Sequence, residues 1–285
     1  MQSQDVLRLY EKGYRDFKSL HLGGVDLSGH ILVDVNFAGS DLTGANFSRT
    51  FLTNANFANA RLNRANFMFA KVSDARFTQA TLTKANFQGA FGVRANFTRS
   101  RISGAQLAHI NLRAAQLNEA NFSGTNLTGA NLRNAELTGT NFKWANLSGV
   151  RLAGTTITPT TNLSHVNLEN AFLNGLNFSG KSLSGVSFKS ARLKGTNFQA
   201  ADLTAANFRE ASLQNSNFQD ACLPGANFDH AALQRAKFNR ADLRRVDVNY
   251  VDWADADLTE ARFEELGTGE VLANRAARAI AHQNG

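Results

Sequence analysis

The chain has 285 residues, 43% of them hydrophobic, with 22 Phe, a single Cys and a formal net charge of +7. No apolar run reaches the ~20 residues that a membrane-spanning helix needs. The N-terminus lacks the apolar stretch of a secretion signal, and one Cys cannot build a disulfide framework, so the composition points to a cytoplasmic chain with no membrane span.

Residues 3–14 carry Val6, Leu7, Leu9 and Tyr10 and predict a short amphipathic helix. We assign residues 1–14 to an N-terminal cap. From Leu22 every fifth residue is Leu, Phe, Val or Ile as far as Ile157, with Gly92 as the one exception. A small residue stands two positions before each of these anchors, as in Ala45-Asn46-Phe47, Ala65-Asn66-Phe67 and Ala206-Asn207-Phe208. One extra residue enters near Thr158-Pro159-Thr160, and the apolar count then resumes from Leu163 to Phe263.

A step of five fits neither regular element. On a helix it advances about 500°, so the anchors spiral around the axis. On a strand an odd step alternates faces. Each unit must therefore contain a corner, for which the Gly, Asn and Ser of its last two positions are suited. Chained corners give a coil with inward anchors, and stacked coils give a solenoid about 4.8 Å per coil. Phe occupies every second anchor at 47, 57, 67, 77, 87 and 97, and again at 198, 208, 218 and 228. With four units per coil, Phe stacks on Phe and Leu on Leu; with three, they would cross.

These units resemble the pentapeptide-repeat family, whose consensus is Ala, Asn or Asp, Leu or Phe, and two variable residues. The resemblance covers about Leu20 to Phe263. It implies an all-β, right-handed quadrilateral β-helix over residues 15–265, about twelve coils and on the order of 55–60 Å long. The lead-in Tyr10-Glu11-Lys12-Gly13-Tyr14-Arg15-Asp16-Phe17 is similar to that of cyanobacterial members and suggests Phe17 as a first, irregular anchor. Residues 266–285 are expected to form a second helical cap, with Val271, Leu272, Ala276, Ala279 and Ile280 at helical spacing. Several family members dimerise there, so the chain is expected to be a monomer or a C-terminally docked dimer.

Several single positions carry their own expectations. Cys222 reads as a buried inward thiol. His30 falls at an inward position and marks an irregular first coil. Lys181 falls inward after Gly180 and calls for a local distortion that lets it reach solvent. Phe91-Gly92-Val93 lacks an anchor and predicts a bulge. The Asn-x-Ser/Thr sequons at Asn46, Asn96 and Asn121 are by-products of the repeat, their Asn serving to bond backbone near a corner.

Nothing in the chain reads as catalytic: there is no phosphate loop, no Cys-x-x-Cys, no His pair at metal spacing. No enzyme activity, metal or cofactor is expected. Residues 42–118 hold ten Lys or Arg against Asp74 alone, a balance of +9; residues 245–270 hold eight acids against Arg245 and Arg262, a balance of −6. With twenty residues per coil, the outward residues of the side through Leu32, Leu52 and Val72 include Ile31, Phe51, Lys71, Phe91, Arg94, Arg113, Arg133 and Arg151, with Phe172 and Arg192 continuing it after the insertion. Aromatic and Arg residues together favour protein interfaces. The opposite side carries Arg61, Arg64, Lys84, Arg101 and Lys143 without such rings, and Met68, Phe69 and Trp144 are further outward apolar residues.

The functional expectation is a non-enzymatic scaffold with a protein partner bound at Phe51, Lys71, Phe91, Arg94, Arg113, Arg133, Arg151 and Phe172. Two alternatives stand beside it. One is a topoisomerase (gyrase) modulator acting as a DNA mimic, which the basic surface opposes. The other is nucleic-acid binding along the basic flank.

Overall fold

The structure is a computed structural model that describes residues 1–263. Packing divides the chain into two compact units, Met1–Asn162 and Leu163–Gly285, at the point where the five-residue count is broken. The expected C-terminal helix lies outside the described residues.

The first unit opens with helix α1, Ser3–Glu11. Gln2 and Asp5 cap it reciprocally, the Gln2 N–H donating to Asp5 Oδ2 at 3.1 Å. Gly13, at φ +91°, turns the chain away just after the helix. Val6 is the buried residue of α1, the Asp26 N–H donates to Ser3 Oγ at 3.1 Å, and Tyr10 Oη donates to the Val33 carbonyl at 3.1 Å. α1 thus rests on the first coil. Phe17 is a regular anchor: fully buried, in register with Leu22, its ring 5.6 Å from Phe37.

The coil geometry follows from where each N–H goes. In the unit Asn46–Thr50, Asn46 N–H reaches Val25 O at 2.8 Å, Phe47 N–H reaches Asn66 O at 2.7 Å, and Arg49 N–H reaches Met68 O at 2.9 Å. Thr50 N–H closes the corner onto Phe47 O at 3.1 Å. The Ser48 N–H is the one left over, and Asn46 Oδ1 accepts it at 3.1 Å. All five donors are paired, which explains why Asn or Asp so often stands before an anchor. Asp41 does the same for Thr43, and its carboxyl is held below the usual value chiefly by the Thr43 hydroxyl and N–H.

The third corner residue has positive φ, as at Gly44 (+69°), Arg49 (+57°) and Asn54 (+58°). With the hydrogen bond across the corner, this is the pattern of a type II turn. Residues before the anchors bridge in parallel to positions twenty later, as in Asn46↔Asn66 and Asn66↔Asn86. Each coil is therefore four units, and each side of the coil is too short to form more than one bridged residue.

Two Phe columns fill the first unit. Phe47, Phe67 and Phe87 stack at 5.0 and 4.5 Å, and Phe57, Phe77 and Phe97 at 5.0 and 4.7 Å. Rings of adjacent sides meet edge to face, Phe67 and Phe77 at 5.6 Å. After Phe97 the columns end; Phe122 and Phe142 stand on the side of Leu82.

No bulge forms at Gly92. Its N–H bonds Asn111 O at 2.8 Å, and Phe91 bridges both Lys71 and Asn111. Val72 Cγ2 and Leu112 Cδ2 lean into the missing side chain's place, each 3.2 Å from where a Cβ would stand. Restoring the consensus by Gly92→Leu is therefore expected to overpack the column and cost about 1–3 kcal/mol. Urea unfolding checks this; a variant more stable than the parent would refute it.

The second unit repeats the scheme over its described residues. Phe178, Phe198, Phe218 and Phe238 form one column, Phe188, Phe208 and Phe228 the other, with Phe188 and Phe208 at 4.9 Å and 2° apart. Phe198, Phe208, Phe218 and Phe228 are fully buried, like Phe47, Phe57, Phe67, Phe77, Phe87 and Phe97. Three expectations need correction. Cys222 is exposed, because the inward small position of its unit is Ala221 and Cys222 takes the outward place before Leu223. Lys181 needs no distortion: its N–H closes the corner onto Phe178 O at 3.1 Å like its neighbours, and its half-buried amine is pushed down in pKa by desolvation. In the first unit His30 is likewise exposed on a regular coil, with Nδ1 2.7 Å from Ser28 O.

Candidate protein-binding side

The four sides of the first unit share one backbone and differ in the residue before the anchor. One side presents Asp26, Asn46, Asn66 and Asn86, and the Asn amides also bond along it, Asn46 Nδ2 to Asp26 Oδ1 at 3.0 Å and Asn66 Nδ2 to Asn46 Oδ1 at 3.2 Å. The next side presents Ile31, Phe51, Lys71 and Phe91, bridged in sequence, followed by Asn111, Asn131 and Arg151. Ile, Phe and Lys have no acceptor. Their units forgo the corner bond that Asn111 and Asn131 restore at Arg113 and Arg133, each worth about 1 kcal/mol. The side through Asp41 also loses Asn, to Arg61, Thr81 and Arg101, but those residues are polar.

Ile31, Phe51 and Phe91 keep 63%, 38% and 47% of their surface exposed. Lys71 Nζ stands 4.4 Å from the centre of the Phe51 ring, a cation–π contact. The expected residues divide accordingly. Phe51, Lys71 and Phe91 form one continuous row, and Arg151 ends the same ladder. Arg94 sits at the corner of that side but is engaged in a bidentate pair with Asp74, Nε to Oδ1 at 2.7 Å and Nη2 to Oδ2 at 2.8 Å. Arg113 and Arg133 are exposed beside the Asn part of the row. Phe172 belongs to the second unit, half-buried, with Arg192 4.6 Å over its ring.

Phe69 joins the row from the adjoining corner. It is half-exposed, at φ +58°, and its ring lies over Gly89, leaving no room there for a Cβ. Phe69 precedes Lys71 by two residues, and Gly89 precedes Phe91 by two, so Phe69 flanks the row at the level of Lys71 and Phe91. The sequence signal was a Phe at a corner twenty residues before a Gly.

Two small hollows of about 400 and 440 Å³ flank α1, lined by residues such as Met1, Gln4, Gly24, Tyr14 and Lys18. The second holds Tyr14 beside Asp16 and Lys18, whose carboxylate and amine are paired with each other at 3.0 Å. Among the described residues no group of three His, Cys, Asp or Glu could hold a metal, and no helix is long and apolar enough to cross a membrane.

Comparison with known proteins matches the family described as pentapeptide repeats over residues 21–59, 52–83, 60–91, 75–113, 115–154 and 161–199, and a pentapeptide repeat region over 197–271. None of the curated proteins matches. Among solved structures, the chain is similar to HetL, a pentapeptide repeat protein involved in heterocyst differentiation regulation in the cyanobacterium Nostoc, at 23% identity over 93% of this chain and 98% of that one, TM-score 0.42. It is similar to a plasmid-mediated fluoroquinolone resistance protein at 18% identity over 76% and 94%, TM-score 0.39. It is also similar to a thylakoid-lumen pentapeptide repeat protein of Arabidopsis thaliana at 26% identity over 38% and 77%, TM-score 0.35.

Proposed function

This chain belongs to the pentapeptide-repeat family, and on that premise we propose that it is a non-enzymatic scaffold that binds a protein partner through the Phe51, Lys71 and Phe91 side of its first unit. The observation that carries this reading is that on this side the Asn row gives way to exposed, mostly apolar residues, Ile31, Phe51, Lys71 and Phe91, where the other sides that lose Asn keep polar ones. Those residues give up a corner hydrogen bond and leave apolar surface in water, and neither change helps the coil fold. Exposed aromatic rings are what the cores of protein interfaces are enriched in.

The DNA-mimic reading requires an acidic surface, and residues 42–118 are strongly basic. Nucleic-acid binding would gather the cations along one path, whereas here they are divided among sides, Arg61 and Arg101 on one, Lys71 on another and Arg76 on a third.

The test is affinity capture from lysate with wild type beside a Phe51→Ser/Lys71→Glu/Phe91→Ser variant. All three side chains point outward, so the melting temperature is expected to hold within a few degrees. A partner captured by wild type is expected to be lost with the variant. Retention of every partner would remove this side as the binding site.

A further inference from the structure

Resting on that reading, we propose that the occupant of this side is an acidic amphipathic helix lying along the coil axis. The backbone of the row is already paired on both flanks: Phe51 N–H to His30 O and Phe91 N–H to Ala70 O at 2.9 Å, Leu52 N–H to Lys71 O at 2.7 Å. The ladder donors and acceptors of the row are thus taken and only isolated corner N–H groups remain, so an added strand finds no edge to pair with and recognition runs through side chains.

The spacing favours a helix. Successive rows lie about 4.8 Å apart, and a helix brings a side chain back to the same face every 5.4 Å, or about one residue in 3.6. Over the three steps from Ile31 to Phe91 the two repeats diverge by only about 2 Å, so a helix lying along the axis presents about one side chain to each coil. Four rows, Ile31 to Phe91, correspond to four turns.

The chemistry of the rows then fixes the stripe on the partner. Ile31 and Phe51 take apolar residues, Lys71 takes Asp or Glu, and Phe91 takes an apolar residue, with Phe69 as the wall beside the acid. Lys71 has no carboxylate partner among the described residues, unlike Arg94 with Asp74 and Arg99 with Glu119. Arg49 stands on the corner column of Phe69, and residues 42–118 add the general positive field. The surface is complementary to an anionic helix and repels a basic one.

The probe is a displayed library of one fixed helical scaffold whose four stripe positions are fully randomised. It is panned on the full chain with Lys71→Glu as counter-selection. Enriched helices are expected to carry Asp or Glu at the third stripe position and apolar residues at the other three. Each should bind wild type at least about ten-fold more tightly than Lys71→Glu, and exchanging its acid for Lys should reverse that preference. No enrichment, enrichment without the acid, or equal binding to both chains would overturn the proposal. A photo-crosslinking residue at position 91 in cells separates the two levels. A cross-linked protein together with a failed library leaves the scaffold standing and removes the helix; silence in both removes both.

Discussion

Phe67→Ala is expected to lower the stability of the first unit by about 3–5 kcal/mol. The ring is fully buried, 5.0 Å from Phe47, 4.5 Å from Phe87, and edge-on to Phe57 and Phe77 at 5.7 and 5.6 Å. Truncation removes about the largest apolar transfer term a core can lose and all four ring contacts. The surroundings cannot close over the gap. Coil spacing is held by main-chain bonds on every side, Phe67 N–H to Asn86 O and Asn66 N–H to Ala45 O among them, and the rings above and below are pinned by their own corners. The cavity therefore persists, which places the cost at the high end. Phe67→Leu is expected to cost only about 1–1.5 kcal/mol, since Leu already fills the columns at Leu62 and Leu82. Equilibrium urea unfolding measures both. A loss below about 1 kcal/mol for Phe67→Ala would mean that the column is not the stabilising core.

The coil was legible because one physical constraint, an inward anchor every five residues, leaves no other solution. The Phe alternation added the number of sides. What could not be read was set between coils instead of along the chain. Gly92 reads as a defect in its own unit, yet Val72 and Leu112, twenty residues away on either side, fill it. Phe69 reads as a lone exposed ring until Gly89 is placed above it. Cys222 shows how one position matters: Ala221 faces in, Cys222 faces out. The donor count of a single unit explains the recurrent Asn before the anchors, and only with that role known does its replacement by exposed apolar residues at Ile31, Phe51 and Phe91 stand out from the polar changes at Arg61, Thr81 and Arg101.

Deleting residues 58–67 is expected to abolish partner binding while the coil stays folded. Ten residues are two units, so everything after the cut turns by two sides. Val72 then stacks on Leu42, Phe77 on Phe47, Leu82 on Leu52 and Phe87 on Phe57, and the Phe and Leu columns remain matched. Asn56 Oδ1, which accepts the Ala58 N–H at 3.1 Å, is placed to accept that of Met68 instead. The outward row has no such symmetry. Ile31 and Phe51 stay where they are, Lys71 and Phe91 move to the opposite side beside Asp41, and Thr81 takes the place next to Phe51. Every residue of the proposed surface is still present and still exposed; only the junction of Ile31 and Phe51 with Lys71 and Phe91 is gone. Loss of affinity is expected to exceed ten-fold, about 1.4 kcal/mol, with far-UV circular dichroism per residue unchanged. The control deletes residues 199–218, one whole coil of the second unit, where Leu223 succeeds Phe198 just as Leu203 did. It should bind as wild type does. If both deletions fold and both bind, the partner does not read the row, and the side assigned here is wall rather than interface.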